Sequence, residues 1–164
     1  MSASVPPPTR DHPEYVGAVY GSLLAASVVA GSAADGTPTS PGDLVVVLIS
    51  TGVVFWIAHL YVQVVGRGAP LTWPRLREAG RQEWPLAQAA FPPAIAAALA
   101  SALGMSDAVA SWAALAVAVA GQVTWAVGAA VRTRSSTSVV VLSGLANLVL
   151  GLAIVLLKTL VAAH

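Results

Sequence analysis

Cysteine is absent from this 164-residue chain, which excludes disulfides, thiolate metal sites and cysteine nucleophiles. Charge is nearly as scarce. Only 9% of the residues are charged, against about 25% in an ordinary soluble domain. The net charge of +1 offers neither nucleic acid nor an acidic partner a surface to bind. Lysine occurs once, at Lys158, beside seven arginines. With the abundance of Ala, Gly and Val, that bias fits a bacterial gene of high GC content. G-x-S-x-G, H-E-x-x-H and P-loop patterns are all missing. No carboxylate falls deep inside an apolar run, so no buried acid–base pair is available. The chain therefore reads as a non-enzyme without a cofactor.

Apolar residues are what the chain has in excess, at 57% of the total with a mean hydropathy of +0.78. A chain this short cannot enclose so much apolar surface in one water-soluble core, and lipid is its natural solvent. Five apolar segments, about 15–34, 43–65, 85–104, 109–131 and 138–162, approach the roughly 20 residues a membrane helix needs. Backbone groups in lipid must bond to one another, so each segment is expected to be helical. The expected fold is an all-α bundle of five transmembrane helices, forming one domain over residues 15–164. Residues 1–14, with Pro6-Pro7-Pro8, read as a disordered cytosolic tail. Turn chemistry separates the spans: "ADGTPTSPGD" (34–43), "GRGAPLTWP" (66–74), "LGMSDA" (103–108) and "RTRSSTS" (132–138). Ser106 or Asp107 can cap the fourth span, and Ser138 the fifth.

Orientation follows from the arginines. Arg10 precedes the first span, Arg67, Arg75, Arg77 and Arg81 lie between the second and third, and Arg132 and Arg134 between the fourth and fifth. The other loops carry only acids. The positive-inside rule then places the N-terminus in the cytoplasm and the C-terminus outside, in a bacterial inner membrane. On this reading Lys158 snorkels to the outer interface. A rival reading takes the first span as a cleavable signal peptide ending in "AGSAADG" (30–36), although Asp11 and Glu14 are out of place in a basic n-region.

Two groups of residues stand out. "LTWPRLREAGRQEW" (71–84) suits a short amphipathic helix over about 72–83, with Thr72 as N-cap and Pro74 in the first turn. Trp73 and Trp84 with Arg75, Arg77 and Arg81 would lie at the inner leaflet and contact lipid head groups. The second group is polar and buried by depth. Tyr20, His59, Gln63, Gln88, Gln122 and Asn147 all fall in the inner half of their spans, while the outer half is nearly all Ala, Val, Leu and Gly. Polar groups in lipid turn inward and seek one another, so these six are expected to converge around His59. They act either as interhelical glue or as the lining of a polar cavity. Metal binding is not expected, because His12, His59 and His164 fall at different depths. Pro92-Pro93 should kink the third span.

Stripes of small residues, Gly17-Gly21-Ala25, Ala94-Ala98-Ala102 and Ser143-Asn147-Gly151, suit close helix packing within the chain or in a homo-oligomer. The expected role is an accessory or scaffolding subunit working with the lipid bilayer and a membrane protein partner. A small oligomeric transporter or channel using the polar cluster is the alternative. A lipid-modifying enzyme ranks third and would need a carboxylate near His59 or an arginine cluster.

Overall fold

A computed structural model describes residues 13–32, 39–66, 72–132 and 136–162. The described residues form six helices and no strand: α1 (Pro13–Gly31), α2 (Pro41–Gly66), α3 (Trp73–Gln88), α4 (Phe91–Ala102), α5 (Asp107–Arg132) and α6 (Thr137–Ala162). Four stretches are long and apolar enough to cross a membrane: Pro41–Gly66, Trp73–Ala102, Asp107–Arg132 and Thr137–Leu160. Helix α1 is a shorter apolar helix, Tyr15–Gly31.

Caps and breakers account for the boundaries. Pro41 opens α2, and Ser40 caps it by accepting the Asp43 N–H at 3.2 Å while its own hydroxyl donates to the Asp43 carboxylate at 2.7 Å. The Ser106 hydroxyl accepts the Val109 N–H to start α5. At the start of α6, backbone N–H groups of Val139 and Val140 bond to the Ser136 carbonyl, so Ser138 lies inside the helix instead of capping it. Gly104 adopts a φ of 71°, the left-handed conformation that ends α4 and turns the chain into α5.

The amphipathic segment does not end near residue 83 as expected. Helix α3 runs on through Pro85 to Gln88, and the interruption falls at Ala89-Ala90. Pro92 and Pro93 explain the position, since neither has an N–H to give the carbonyls of Gln88 and Ala89. Nor does α3 merely lie beside the bundle. It packs on α1 and α2 and buries Ala79, Gly80, Glu83, Leu86 and Ala87. Thr72 has the extended backbone of an N-cap and its carbonyl accepts the Leu76 N–H, but its side chain makes no capping bond.

Helix α1 occupies the middle of the bundle, in contact with α2, α3, α5 and α6. Two glycines let neighbouring helices close on the interrupted stretch. A methyl at Gly21 would overlap the Leu86 carbonyl and lie 2.9 Å from the Ala89 Cβ; one at Gly52 would lie 3.1 Å from the Ala90 Cβ. Helix α5 buries a ridge of Ala110, Ala114, Ala118, Gln122, Ala126 and Ala130, spaced four apart as one helix face requires. The small-residue stripes of α1 and α6 are spent inside the chain. Gly17 and Gly21 face Leu86, and Gly151 faces Val119. Of the α4 stripe only Ala94 is buried, while Ala98 and Ala102 are exposed.

The outside of the bundle is apolar. On α6 alone Leu142, Leu145, Val149, Leu152, Leu156 and Leu160 are exposed. The starts of α1, α3 and α6 and the ends of α2 and α5 gather at one end of the bundle, which holds Arg75, Arg77, Arg81 and Arg132. The tail 1–12, the segments 33–38, 67–71 and 133–135, and His164 lie outside the described residues.

Candidate functional site

The six polar residues expected to converge instead divide among separate contacts. Gln122, fully buried on α5, donates from Nε2 to the Asn147 side-chain oxygen at 3.2 Å and to its backbone carbonyl at 3.3 Å. Asn147 in turn donates to the Ser143 carbonyl of its own helix. Gln63 on α2 donates to the buried Glu83 carboxylate on α3. His59 is half-buried. Its Nδ1 lies 3.1 Å from the Phe55 carbonyl one turn back, which places the proton on Nδ1. The His59 ring meets Tyr20 of α1 with centroids 5.6 Å apart. Gln88 is exposed and joins none of these pairs. So Gln122 meets Asn147, and Tyr20 meets His59, but the pairs sit on different helix interfaces. One polar atom is left over: Gln122 Oε1 is buried and has no hydrogen-bond partner among the described residues.

Lys158 departs furthest from expectation. It does not snorkel outward. Its residue exposure is 5%, and its ammonium donates to the Val29 carbonyl of α1 at 3.0 Å and to the Ser111 hydroxyl of α5 at 2.7 Å. The Trp112 ring centroid stands 5.6 Å from Nζ. Val29 lies in the last turn of α1, where carbonyls lack helical donors and the dipole is negative. The lysine thus caps α1 from another helix and ties α1, α5 and α6 at one point. Among the described residues no carboxylate pairs with it. A hydroxyl beside an amine also resembles a nucleophile–base pair. Both groups are buried here, however, and the second lysine bond goes to a helix carbonyl, so an acyl group has no approach.

Four of the five residues expected at lipid head groups come together in a groove. A cavity of about 560 Å³ opens between α2 and α3. Trp73, Arg77, Arg81 and Trp84 line it from α3, and Trp56 and Leu60 from α2. Arg75 is exposed and does not line it. The Trp56 indole N–H donates to the Gly80 carbonyl at 2.9 Å, which fixes that ring in the groove, and Trp84 meets it edge-on at 5.5 Å between centroids. Gly80 sits where a methyl would lie 3.4 Å from the Trp56 ring. Trp56 was not legible as part of this site, although its distance of four residues from Leu60 places both on one face of α2.

No family model, curated protein or solved structure matches the chain. The geometry alone therefore has to say what these sites can do. Gln122–Asn147, Gln63–Glu83 and the Lys158 node each join helices. The α2–α3 groove is the one described feature with both volume and opposite chemistries on its walls: indoles and leucines on one hand, guanidinium groups on the other.

Proposed function

We propose that the chain is a multi-pass integral membrane protein with five spans, and that it serves as a non-enzymatic accessory or scaffolding subunit of a membrane complex. Helix α1, about 26 Å long over Tyr15–Gly31 at 1.5 Å per residue, would be the fifth span, short but held at the centre by its neighbours. The exposed leucine and valine face of α6 supports insertion, since so large an apolar patch is not sustained in water. The arginine-bearing end would face the cytoplasm.

The division of the polar residues into separate helix-to-helix pairs is the observation that carries the non-transporting reading. A transport path needs polar groups facing one shared space. Here Gln122, Asn147, Gln63, Glu83 and Lys158 are turned to neighbouring helices. Such bonds act as glue, at about 0.6 kcal/mol each in a well-characterised bundle.

Flux across proteoliposomes tests this directly. Ion and solute flux is compared for the wild type and His59→Ala from about pH 5.5 to 8. The expected result is no flux above empty vesicles for either protein. Flux that rises with pH or acid and disappears in His59→Ala would replace the scaffolding reading with a transporter.

A further inference from the structure

We infer that the groove between α2 and α3 seats one anionic phospholipid of the surrounding leaflet, its phosphate held by Arg77 and Arg81 and an acyl chain running from there past Trp84 and Phe91. This inference rests on the membrane reading above and adds a ligand to it.

Three observations lead there. First, Arg77 and Arg81 are one helical turn apart, both line the cavity, and among the described residues neither makes a hydrogen bond or ion pair. Two guanidinium groups at that spacing can each present paired N–H donors to one phosphate. The nearby acids do not line the groove: Glu78 accepts from Gln82, and Glu83 is buried against Gln63. Second, the cavity does not end at the arginines. From Trp84 the apolar surface runs on to Phe91, at 6.3 Å between ring centroids, with both rings exposed and Phe91 further from the arginine end. This path is cationic at one place and hydrocarbon-like for the rest, which is the profile of an amphiphile and of neither a soluble anion nor a purely apolar ligand. Third, its position fits. The groove lies at the end of the bundle where the arginines gather, and Trp73 and Trp84 are exposed beside it, as interfacial indoles are.

The three indoles alone could suggest an aromatic cage for a quaternary ammonium head group. The two arginines oppose that, because they would repel choline's charge across the same space. Net charge complementarity therefore selects phosphatidylglycerol-type head groups over zwitterionic ones.

Tryptophan fluorescence supplies the test. The chain has five tryptophans, so Trp112→Phe with Trp125→Phe leaves emission only from the groove. This protein is reconstituted into phosphatidylcholine vesicles in which either phosphatidylglycerol or phosphatidylcholine carries brominated chains, a short-range quencher. Half-maximal quenching is expected at about a tenfold lower mole fraction of brominated phosphatidylglycerol than of brominated phosphatidylcholine, with the preference abolished by Arg77→Gln plus Arg81→Gln. Both arginines are exposed, so the fold should survive, and circular dichroism checks it. Arg77→Lys plus Arg81→Lys, which keeps the charge, should retain most of the preference.

Equal quenching by the two lipids overturns the anionic site but leaves the protein in the membrane. Stronger quenching by phosphatidylcholine overturns it in favour of a choline cage. A preference that persists in the double glutamine variant places the lipid's partner elsewhere and also overturns it. Quenching by neither lipid removes the membrane reading together with the site.

Discussion

The two ends of the bundle treat their cations in opposite ways. At one end Arg75, Arg77, Arg81 and Arg132 stand at the surface, with Arg132 over the face of Tyr15 at 5.5 Å. At the other end the chain's only lysine is drawn inside and bound to two helices. An exposed cation keeps much of its hydration and can still meet partners in the solvent or the lipid. A buried one must be satisfied by the protein, and here a helix terminus and a hydroxyl do it. The arginine end is therefore suited to meeting something outside the chain, while the lysine end is suited to holding the chain together. The apolar core cluster, with Ala26, Val29, Leu44, Leu48, Ala97 and Leu115, also lies toward the lysine end.

On that contrast Lys158→Ala is the most damaging single change. It removes two hydrogen bonds to a charged donor, each worth about 1.5–3 kcal/mol before the cost of burying the charge is subtracted, and it also empties the space of the stem. A net loss of about 2–4 kcal/mol is expected, read as a lower melting temperature in detergent. Lys158→Met separates the two parts, since it refills the stem without the charge and should recover roughly half of the loss. A Met variant as stable as the wild type would show that only the stem holds this end together. No single arginine at the other end should shift the melting temperature comparably, because exposed charges contribute little.

How much of this was legible in the sequence depended on what each feature needs. Helical segments and their turns follow from composition and from Pro, Gly and Ser positions, so α2, α5 and α6 appear close to where they were expected. The break before Pro92-Pro93 was also legible, because a missing N–H acts at a fixed distance along the chain. The polar cluster was not, because depth is readable from residue count but azimuth is not. Tyr20 and Ser22 are at similar depth on α1, yet Tyr20 turns to His59 while Ser22 lies on the side of Gly121, next to Gln122. Helix α1 stands between the two halves of the supposed cluster. Lys158 was misread for the opposite reason, since its azimuth could have been followed. The stripe Ser143, Asn147, Gly151 continues at helical spacing through Ile154 and Val155 to Lys158, and Gly151 and Lys158 are buried with Ile154 and Val155 half-buried between them. Proximity to the helix end suggested snorkelling, whereas the face it shares with the stripe pointed inward.

The next effect measures how far the tight packing extends toward the arginine end. At Gly21 an added methyl overlaps the Leu86 carbonyl, whereas at Gly17, one turn closer to the arginines, it would lie 3.5 Å from the Leu86 nitrogen, an ordinary contact. Gly21→Ala should cost about 1–3 kcal/mol, as overpacking does. Gly17→Ala should be neutral or slightly stabilising, since alanine is the better helix former. Equal losses at both sites would mean the close packing reaches the arginine end, and the contrast between the ends would weaken.

A smaller and asymmetric effect is expected midway, where Gln122 meets Asn147. Asn147→Leu takes one bond from a Gln122 that already has a buried, unpartnered oxygen, and about 1 kcal/mol should be lost. Gln122→Met removes that orphan oxygen together with the donor and should change stability by less than about half as much. If Gln122→Met proves the more damaging of the two, Oε1 has a partner that the described residues do not include.

The last prediction leaves stability untouched and asks only which end faces which side. Because the chain has no cysteine, single cysteines can be placed and labelled without background. Met105→Cys sits in the exposed turn between α4 and α5, at the lysine end, and Thr137→Cys at the exposed start of α6, at the arginine end. In intact cells a membrane-impermeant maleimide should label Met105→Cys and leave Thr137→Cys untouched until the membrane is opened, as the positive-inside rule requires. Neither side chain is packed, so both proteins should accumulate like the wild type. The reverse labelling pattern would put the arginines outside. The groove would then face the outer leaflet, and the exposed cations would have to be explained by a partner there. Labelling of both sites in intact cells would mean that helix α5, which separates them, does not cross the membrane.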